Sequence, residues 1–353
     1  MSGRRAAKTV NLALQGGGAH GAFTWGALDR LLEEEDLEIE GITATSAGAM
    51  NAAALKSGLV AGGRPAARAS LDRFWLSLAG LERLPEGALD WLLAVAPAPG
   101  LAARALEFSP MTLATEAVTR VFSPYQFNPA NYHPMRGVVT EMLDYKHVCA
   151  STWPKLFICA TNVRSGKIKV FAGAEITPDA ILASACLPTL FQAIEIADPA
   201  TGRIEAYWDG GYAGNPALFP LFSRTECTDT IIVHINPLCR DELPRTSTEI
   251  LNRINEISFN SSLLRDLRAV DFVHRLIEAG RVPPGAMKDV HIHSVQDDAL
   301  MLQLGVASKG APDRGLLLQL KEAGRAAMDR FLTDHWDDIG ERSSVDLRAM
   351  FQS

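Results

Sequence analysis

The alternation of apolar and polar positions predicts an α/β protein in which strands and helices follow one another along the chain. "TVNLAL" at 9–14 is a short apolar run typical of a buried strand, and apolar residues recur at helical spacing over 22–35. "LEIEGITAT" at 37–45 predicts a second strand, and the Ala-rich segment starting at Ser46 predicts a helix that closes near Gly58. This order of elements is the opening of a parallel α/β sheet.

The remainder of the chain continues the alternation and contains no internal repeat. Predicted strands lie at 155–163, 167–173, 229–237 and 288–295, with a hairpin turning at 198–202, and predicted helices lie at 246–279 and 315–335. In the first of these helices, apolar residues such as Ile254 and Ile257 are expected to face the core. We expect a single domain, 1–353, with a helical insertion or lid at 61–145 and a helical C-terminal extension at 238–353.

Composition narrows the class of protein. The 353 residues are 47% hydrophobic and 21% charged, which is typical of a globular protein with a large core. A net charge of −7, without a long Lys/Arg run, argues against nucleic acid as a partner. Five cysteines without C-x-x-C spacing indicate reduced thiols and no metal site.

The sequence also predicts a cytoplasmic location. The N-terminal segment lacks the apolar centre of a signal peptide. The apolar segment at 91–106 is interrupted by proline and glycine, so it cannot form an ordinary membrane span of about 20 residues. That segment is either a lid or lipid-contacting element or a buried loop and helix pair.

A serine at the second strand-to-helix junction is the first candidate for chemistry. "GITATSAGAMN" nearly fits the nucleophile-elbow frame G-x-S-x-G around Ser46, with Ala44 at the first glycine position and Gly48 at the second. Small neighbours let strand and helix approach, and the N–H groups that begin the helix would face an oxyanion formed at the serine. Serine is equally typical of a helix N-cap, so this segment alone leaves both interpretations open.

A glycine-rich turn, "QGGGAHG" at 15–21, follows the first strand. Its consecutive glycines can turn N–H groups inwards, which suits an oxyanion hole or a phosphate cradle. Gly16, Gly18 and Gly21 fit G-x-G-x-x-G, but the Lys-Ser/Thr of a P-loop and the acidic residue expected after the next strand are missing. Nucleotide binding is therefore the weaker interpretation.

An acidic turn, "YWDGG" at 207–211, supplies a candidate base. An aspartate before two glycines is often only a turn residue. Beside a candidate nucleophile and oxyanion loop, however, Asp209 could accept a serine proton directly if a dry pocket raises its basicity.

Together these segments resemble the patatin-like phospholipase family. The resemblance extends to "ASACLPTLF" at 183–191 and "GGYAGNPAL" at 210–218, and it covers roughly 9–237. It implies a single patatin-like domain with its catalytic core at about 9–237, in a three-layer α/β/α fold with a mostly parallel sheet that is related to α/β-hydrolases. It also implies a Ser-Asp dyad that hydrolyses fatty acyl esters through an acyl-enzyme. The implied roles are nucleophile for Ser46, base for Asp209, oxyanion hole for Gly16, Gly17, Gly18 and Ala47, and motif support for His20, Gly21, Ala44, Gly48, Gly210 and Gly211.

Two positions depart from the family's pattern. Ala44 stands where glycine is usual, and its methyl group fits only if φ is negative. His20 stands where Arg or Lys is usual, and a histidine is charged only at lower pH. This second departure bears on whether the substrate has an anionic head group.

Histidines offer an alternative to the dyad. The order Ser, Asp, His of ordinary α/β-hydrolases would allow His234, His274, His291 or His293 as a third member. His234 lies in an apolar strand and is expected to be a hydrogen-bonded core residue, whereas His291 and His293 share one strand face and are expected to be structural or exposed. We therefore prefer the dyad.

The leading hypothesis is a serine acyl hydrolase that acts on a lipid or other fatty acyl ester, with peripheral membrane contact and without metal or organic cofactor. A thioesterase or an intracellular polyester depolymerase could use the same dyad. A non-catalytic module that binds phosphate or another anion on the glycine turn is the alternative from a different class. The sequence does not define an oligomeric state.

Overall fold

The computed structural model describes residues 6–80, 96–107, 109–142, 151–283, 285–310 and 312–351. In this part of the chain, eight strands form one mixed sheet, and the predicted α/β class is confirmed. The strands are β1 (Lys8–Leu14), β2 (Leu37–Thr45), β3 (Lys155–Asn162), β4 (Ile168–Ala172), β5 (Ile194–Asp198), β6 (Arg203–Asp209), β7 (Asp229–Val233) and β8 (His291–Val295).

The sheet is parallel through most of its width and antiparallel at one end. Hydrogen-bonded neighbours follow the path β5-β6-β3-β2-β1-β7-β8, and β4 pairs with β3 along the edge opposite to β2 and β6. Strands β3, β2, β1, β7 and β8 run parallel, whereas β4 and β6 are antiparallel to β3. Because parallel strands end at one edge of the sheet, the segments that follow β1, β2 and β7 lie side by side.

Helices pack against both faces of the sheet. Alternate residues of β1 show this: Val10 and Leu12 belong to one core cluster, whereas Ala13 packs with Leu263 and Leu267 in another. The helices are α1 (Ala22–Leu31), α2 (Ala47–Ala79), α3 (Pro99–Glu107), α4 (Pro110–Val121), α5 (Pro124–Phe127), α6 (Met135–Met142), α7 (Pro178–Ser184), α8 (Phe219–Arg224), α9 (Ser247–Glu278), α10 (Asp298–Met301), α11 (Val306–Gly310) and α12 (Arg314–His335).

Helix α2 comprises two helical arms, and the first breaks at Gly62, four residues beyond the end near Gly58 that the sequence predicted. The helical segment continues to Ala79 and is interrupted only at Gly62 and Gly63, where Gly63 has φ +71°. Gly58 serves close packing instead, since a Cβ there would lie 2.3 Å from the Cα of Ala67. The chain thus turns at 62–63 and packs a second helical arm back against the first.

The first half of α9 presents its apolar residues to solvent, contrary to the prediction that Ile254 and Ile257 face the core. Leu251, Ile254 and Ile257 are 51%, 56% and 55% exposed. The buried side carries polar residues, including Glu256 and Asn260. On that side Glu256 accepts from Arg240 at 2.8 and 2.7 Å, and Asn260 donates to the carbonyl of Pro237 at 3.0 Å.

The residues assigned to a C-terminal extension contribute to the core. They supply β8, which pairs with β7, and α12, which packs against α1. Backbones touch at this contact: a Cβ at Gly26 would overlap the carbonyl of Lys321, and one at Gly324 the carbonyl of Phe23. The segment at 238–353 is therefore neither wholly helical nor peripheral to the sheet.

The insertion predicted at 61–145 is helical in its described parts, which comprise the second arm of α2 and helices α3 to α6. Residues 81–95, 108 and 143–150 lie outside the described residues, so the lid candidate at 91–106 is described only from residue 96. None of the helices in the described ranges combines the length and the apolar character that crossing a membrane requires.

Candidate active site

Strand β3 brings Ser46 and Asp209 together. β2 ends with Thr45 paired to Cys159, and the next residue of β3, Ala160, pairs with Asp209 of β6. Because β4 occupies the other edge of β3 at both positions, β2 and β6 meet end to end along a single edge. Ser46 directly follows β2, so it lies beside the last residue of β6.

The backbone of Ser46 is strained, and its hydroxyl does not cap the helix that follows. Ser46 has φ 55° and ψ −124°, which a non-glycine residue rarely adopts, and its side chain makes no capping hydrogen bond. Its N–H donates to Oγ of Ser184 at 2.9 Å, and Ser184 Oγ donates to the carbonyl of Cys159 at 2.6 Å. An ordinary N-cap has an extended backbone and a side-chain acceptor, so this junction has the geometry of an elbow.

Glycines allow the elements around this elbow to touch. A Cβ at Gly16 would lie 2.5 Å from Cβ of Ser46, and one at Gly48 would lie 2.2 Å from the carbonyl of Leu14. At Gly21 a Cβ would approach the first residue of α2 to 2.7 Å. Larger residues at these positions would push the glycine turn away from Ser46.

The two departures from the family pattern are both buried. Ala44 lies in β2 and is not among the residues with positive φ, so its methyl group fits without backbone strain. His20 places Nε2 2.8 Å from Oγ of Ser308. Burial, followed by the charges of Lys309 and Arg240, lowers the pKa of His20 well below its usual value, so the imidazole is neutral and does not face solvent.

The N–H groups of the glycine turn differ in availability. The N–H of Gly16 donates to Oδ1 of Asn215 at 2.6 Å, which argues against the role in an oxyanion hole expected for it. Among the described residues, none accepts a hydrogen bond from the N–H of Gly17, Gly18 or Ala47. Gly18 has φ +61°, a conformation that glycine adopts without strain.

The turn that carries Asp209 holds one carboxylate oxygen and leaves the other open. Oδ1 accepts from the N–H of Gly211 at 2.7 Å, whereas the buried Oδ2 has no hydrogen-bond partner among the described residues. A Cβ at Gly210 would lie 2.2 Å from the carbonyl of Cys159, and one at Gly211 would lie 2.8 Å from the ring of Phe259. Both glycines are thus needed for the close packing that buries this carboxylate.

Burial raises the pKa of Asp209 to about 7, and the Gly211 N–H and the Ser46 side chain oppose the shift without cancelling it. Asp209 is 1% exposed and Ser46 is 7% exposed. A carboxyl group with this pKa changes its protonation state near neutral pH, as a general base requires.

The family model described as patatin-like phospholipase matches residues 12–222, which include Ser46, Asp209 and the glycine turn. The chain belongs to the patatin-like phospholipase family. Membership of this family indicates a lipid acyl hydrolase with the patatin α/β fold.

Other comparisons add less. The crystal structure of VipD from Legionella pneumophila is similar to this patatin-like chain with a TM-score of 0.41 and 14% sequence identity, covering 94% of this chain and 68% of that one. A comparison with curated proteins finds no match for the chain.

The sequence of this patatin-like chain does not identify several polar residues that support the candidate site, because packing between distant segments defines their contacts. Gln15 Oε1 accepts from the N–H groups of Ile235 and Asn236 at 3.0 and 3.1 Å. Ser184 and Asn215, described above, hold the N–H groups of Ser46 and Gly16. Ser184 and Asn215 lie in the segments that carry the family resemblance, whereas Asn236 follows a strand without any motif.

None of the candidate histidines 234, 274, 291 and 293 makes a hydrogen bond to Ser46 or Asp209 within the described residues. His234 is buried, but neither ring nitrogen has a hydrogen-bond partner among the described residues, so the expected satisfied core histidine is wrong in that respect; burial lowers its pKa to about 4. His291 and His293 lie 3.3 and 3.0 Å from Oδ1 of Asp229, at the edge of the sheet where β7 begins. His274 Nε2 contacts a backbone carbonyl near β8 at 2.6 Å.

The patatin-like chain also has an open groove of about 1230 Å³ between α3, the loop at 240–246 and the start of α9. Its lining residues include Arg240 and Arg253 but neither Ser46 nor Asp209. The groove is thus separate from the candidate active site.

Proposed function

We propose that this protein hydrolyses fatty acyl esters of lipids through a Ser46–Asp209 dyad. The observation that carries the proposal is the meeting of a strained serine with a buried carboxylate whose pKa is raised to about 7 and whose Oδ2 is open. A capping serine or a turn aspartate needs neither property. The family membership supports the same class of reaction.

In the acylation step, Ser46 Oγ attacks the ester carbonyl carbon and Asp209 takes the serine proton on Oδ2. The tetrahedral intermediate then collapses, the bond to the alcohol breaks, and the alcohol leaves with the proton from Asp209. Deacylation repeats the sequence with water as the nucleophile, which releases the fatty acid and restores the serine.

The oxyanion of each intermediate is stabilised by backbone N–H groups. We assign this role to Gly17, Gly18 and Ala47, whose N–H groups have no acceptor among the described residues. Ala47 begins α2, so its N–H has no partner within the helix and gains from the helix dipole. Gly16 is left out because Asn215 already accepts from its N–H.

A non-catalytic anion site on the glycine turn is less compatible with this arrangement. Above about pH 7 the buried Asp209 carries a negative charge beside the turn, and a bound phosphate would be repelled. A neutral ester that becomes negative only after the serine proton has moved to Asp209 avoids that repulsion.

The decisive experiment is labelling with a fluorophosphonate probe, which phosphonylates activated serines. We expect the wild type to be labelled at Ser46, and Ser46→Ala to lose labelling and at least about 10⁴-fold of p-nitrophenyl ester turnover. Ser70→Ala, which changes another serine of α2, should behave as wild type. Folded wild-type protein that stays unlabelled would contradict the proposal.

A substrate panel then tests the ester class. Phospholipids, p-nitrophenyl esters, acyl thioesters and a short polyester should be compared by kcat/KM with one preparation. We expect the lipid esters to be turned over with the highest kcat/KM. If kcat/KM is higher for a thioester or polyester, the proposed dyad would stand, but the proposed substrate class would be wrong.

A further inference from the structure

A chain of hydrogen bonds leads from a cation to the glycine turn. Lys309 Nζ donates to Oδ1 of Asn236 at 3.1 Å, and Nδ2 of Asn236 donates to the carbonyl of Gly16 at 2.7 Å. The Gly16 carbonyl belongs to the peptide unit that carries the N–H of Gly17. An ammonium group, a side-chain amide and a peptide unit are therefore connected in series.

The direction of each hydrogen bond is fixed by chemistry. An ammonium group only donates, so the Asn236 atom that faces Lys309 must be its oxygen. The Asn236 NH₂ group then faces Gly16, whose carbonyl only accepts. Both amide dipoles point the same way, with their positive ends directed away from Lys309.

The planar peptide continues this direction. In a trans peptide the C=O and N–H point to opposite sides, so the N–H of Gly17 points away from Asn236. Among the described residues, none accepts a hydrogen bond from that N–H. Aligned hydrogen bonds polarise one another, and a positive charge at the start of the series makes its last N–H a stronger donor.

We propose that Lys309 and Asn236 are positioning residues that orient and polarise the Gly17 N–H towards the oxyanion formed at Ser46. The inference rests on the proposed serine hydrolase function and adds a source of positive charge outside the residues matched by the family model. Neither side chain need touch the substrate, because the Gly16–Gly17 peptide passes the effect on.

The surroundings of Lys309 hold it in place. The Glu256 carboxylate lies 3.8 Å from the Lys309 Nζ. This carboxylate also accepts hydrogen bonds from the guanidinium of Arg240 at 2.7 and 2.8 Å and from that of Arg253 at 3.2 Å. The backbone of Lys309 also abuts the turn, since a Cβ at Gly18 would lie 2.2 Å from the Lys309 carbonyl oxygen. Helix α11 and the buried side of α9 thus fix the ammonium relative to the glycine turn.

The test compares Lys309→Met with Lys309→Arg and with a matched control, Lys288→Met. Lys288 is a partly buried lysine that donates to the carbonyls of Leu221 and Thr225, in the segment that precedes β7. Turnover of a p-nitrophenyl ester gives kcat and KM, and an alkyl trifluoromethyl ketone, which forms a hemiketal oxyanion with serine, gives the affinity for the charged adduct.

We expect Lys309→Met to lower kcat about 10-fold with KM nearly unchanged, and to weaken the ketone inhibitor by a similar factor. Lys309→Arg should restore most of both losses, and Lys288→Met should keep wild-type values. Unchanged kcat and ketone affinity in folded Lys309→Met would overturn the inference, as would equal losses in the control.

If Lys309→Met does not fold, Asn236→Ser supplies the same test, because it removes the amide link and keeps the lysine. The expected result is again a loss of kcat and ketone affinity with little change in KM, and unchanged values would refute the inference. Wild-type protein that fails to react with fluorophosphonate would refute the proposed function itself. If wild type and Lys309→Met react equally with fluorophosphonate, only the inferred role of Lys309 and Asn236 would be refuted.

Discussion

Asp209 is held where its ionised form is disfavoured. The side chain is buried, one oxygen receives a single hydrogen bond from Gly211, and the other receives none from the described residues. In a structural role this would be an unexplained cost, because buried carboxylates are normally paired. In the proposed dyad with Ser46, the same features keep the carboxylate basic and leave one oxygen able to accept a proton.

The raised pKa predicts the pH dependence of catalysis. Since only the carboxylate form accepts a proton, kcat/KM should rise about tenfold per pH unit below about pH 7 and become constant above it. The measurement is ester hydrolysis between about pH 5 and pH 9, with Ser46→Ala as the background. A flat profile through this range would show that Asp209 is not the base.

Replacing Asp209 by asparagine should stabilise the protein while removing activity. The folded-state pKa of about 7 exceeds the ordinary 3.8, so the native state binds the extra proton and loses stability as pH rises between these values. Asp209→Asn abolishes the charge and with it this loss. Its melting temperature should exceed that of wild type at pH 8 and match it near pH 4.

Activity provides the second readout for that variant. Turnover should fall by about 10³-fold or more, because an amide does not accept the serine proton. If Asp209→Asn melts at a lower temperature than wild type at pH 8, the buried charge of Asp209 does not destabilise the protein, and the prediction is contradicted.

At the scale of elements, α9 has two different halves. Its second half buries Leu263, Leu267 and Val270 against the sheet in the ordinary way. Its first half turns Glu256 inwards and aliphatic residues outwards, next to Phe259, which packs on the turn of Asp209. We propose that this exposed aliphatic stripe, which lies near the turn of Asp209, contacts a lipid aggregate.

Charging this stripe should impair activity on lipid surfaces alone. We expect Ile254→Glu to weaken vesicle binding and hydrolysis of vesicle lipid about tenfold, because an apolar side chain no longer enters the interface. Hydrolysis of a dissolved p-nitrophenyl ester should stay at the wild-type rate.

Phe272→Glu is the matched control, since Phe272 is an exposed apolar residue on the other half of α9. It should leave both activities near wild type. Equal losses on vesicles for the two variants, or a loss of soluble ester turnover in Ile254→Glu, would argue against lipid contact through this stripe.

Across the whole molecule, the two ends of the parallel strands differ in function. The carboxyl ends of β1 and β2 hold the glycine turn and Ser46, with Asp209 beside it. At the edge where β7 begins, Asp229 Oδ1 accepts from His291, His293 and the N–H of Gly340, so it ties β7, β8 and the C-terminal segment together. Burial acts to raise the pKa of Asp229, but these hydrogen bonds lower it overall.

Asp229→Asn should therefore reduce stability without changing the chemistry of the site. The hydrogen bond to Asp229 raises the pKa of His291, so this contribution is complete below about pH 6.5 and is lost as the histidine deprotonates at higher pH. We expect a loss on the order of 2 kcal/mol in the free energy of unfolding near pH 6 and a smaller one near pH 9.

Denaturant unfolding at the two pH values measures this difference, with kcat on a soluble ester as the check on the site. A larger loss at the higher pH, or a fall in kcat of the folded variant, would contradict the assignment of Asp229 to fold stability.

The sequence by itself determined the local elements and the residue types of the site. Strand runs, helical spacing and glycine turns are properties of neighbouring residues, so β1, β2, α1 and β7 were predictable, as were Ser46, Asp209 and the glycines as candidates. It could not decide between elbow and N-cap, since a local serine pattern fits both.

Tertiary structure decided the rest, because the deciding quantities depend on residues far apart in the chain. β3 is the strand on which β2 and β6 meet, and this alone sets Asp209 beside Ser46. Burial by the surrounding layers sets the pKa of Asp209, and partners beneath α9 turn its aliphatic face outwards. The hydrophobic pattern of the sequence reports only the periodicity within one helix or strand. The burial, the electrostatic surroundings and the hydrogen-bond partners of a residue are set only when the elements pack together.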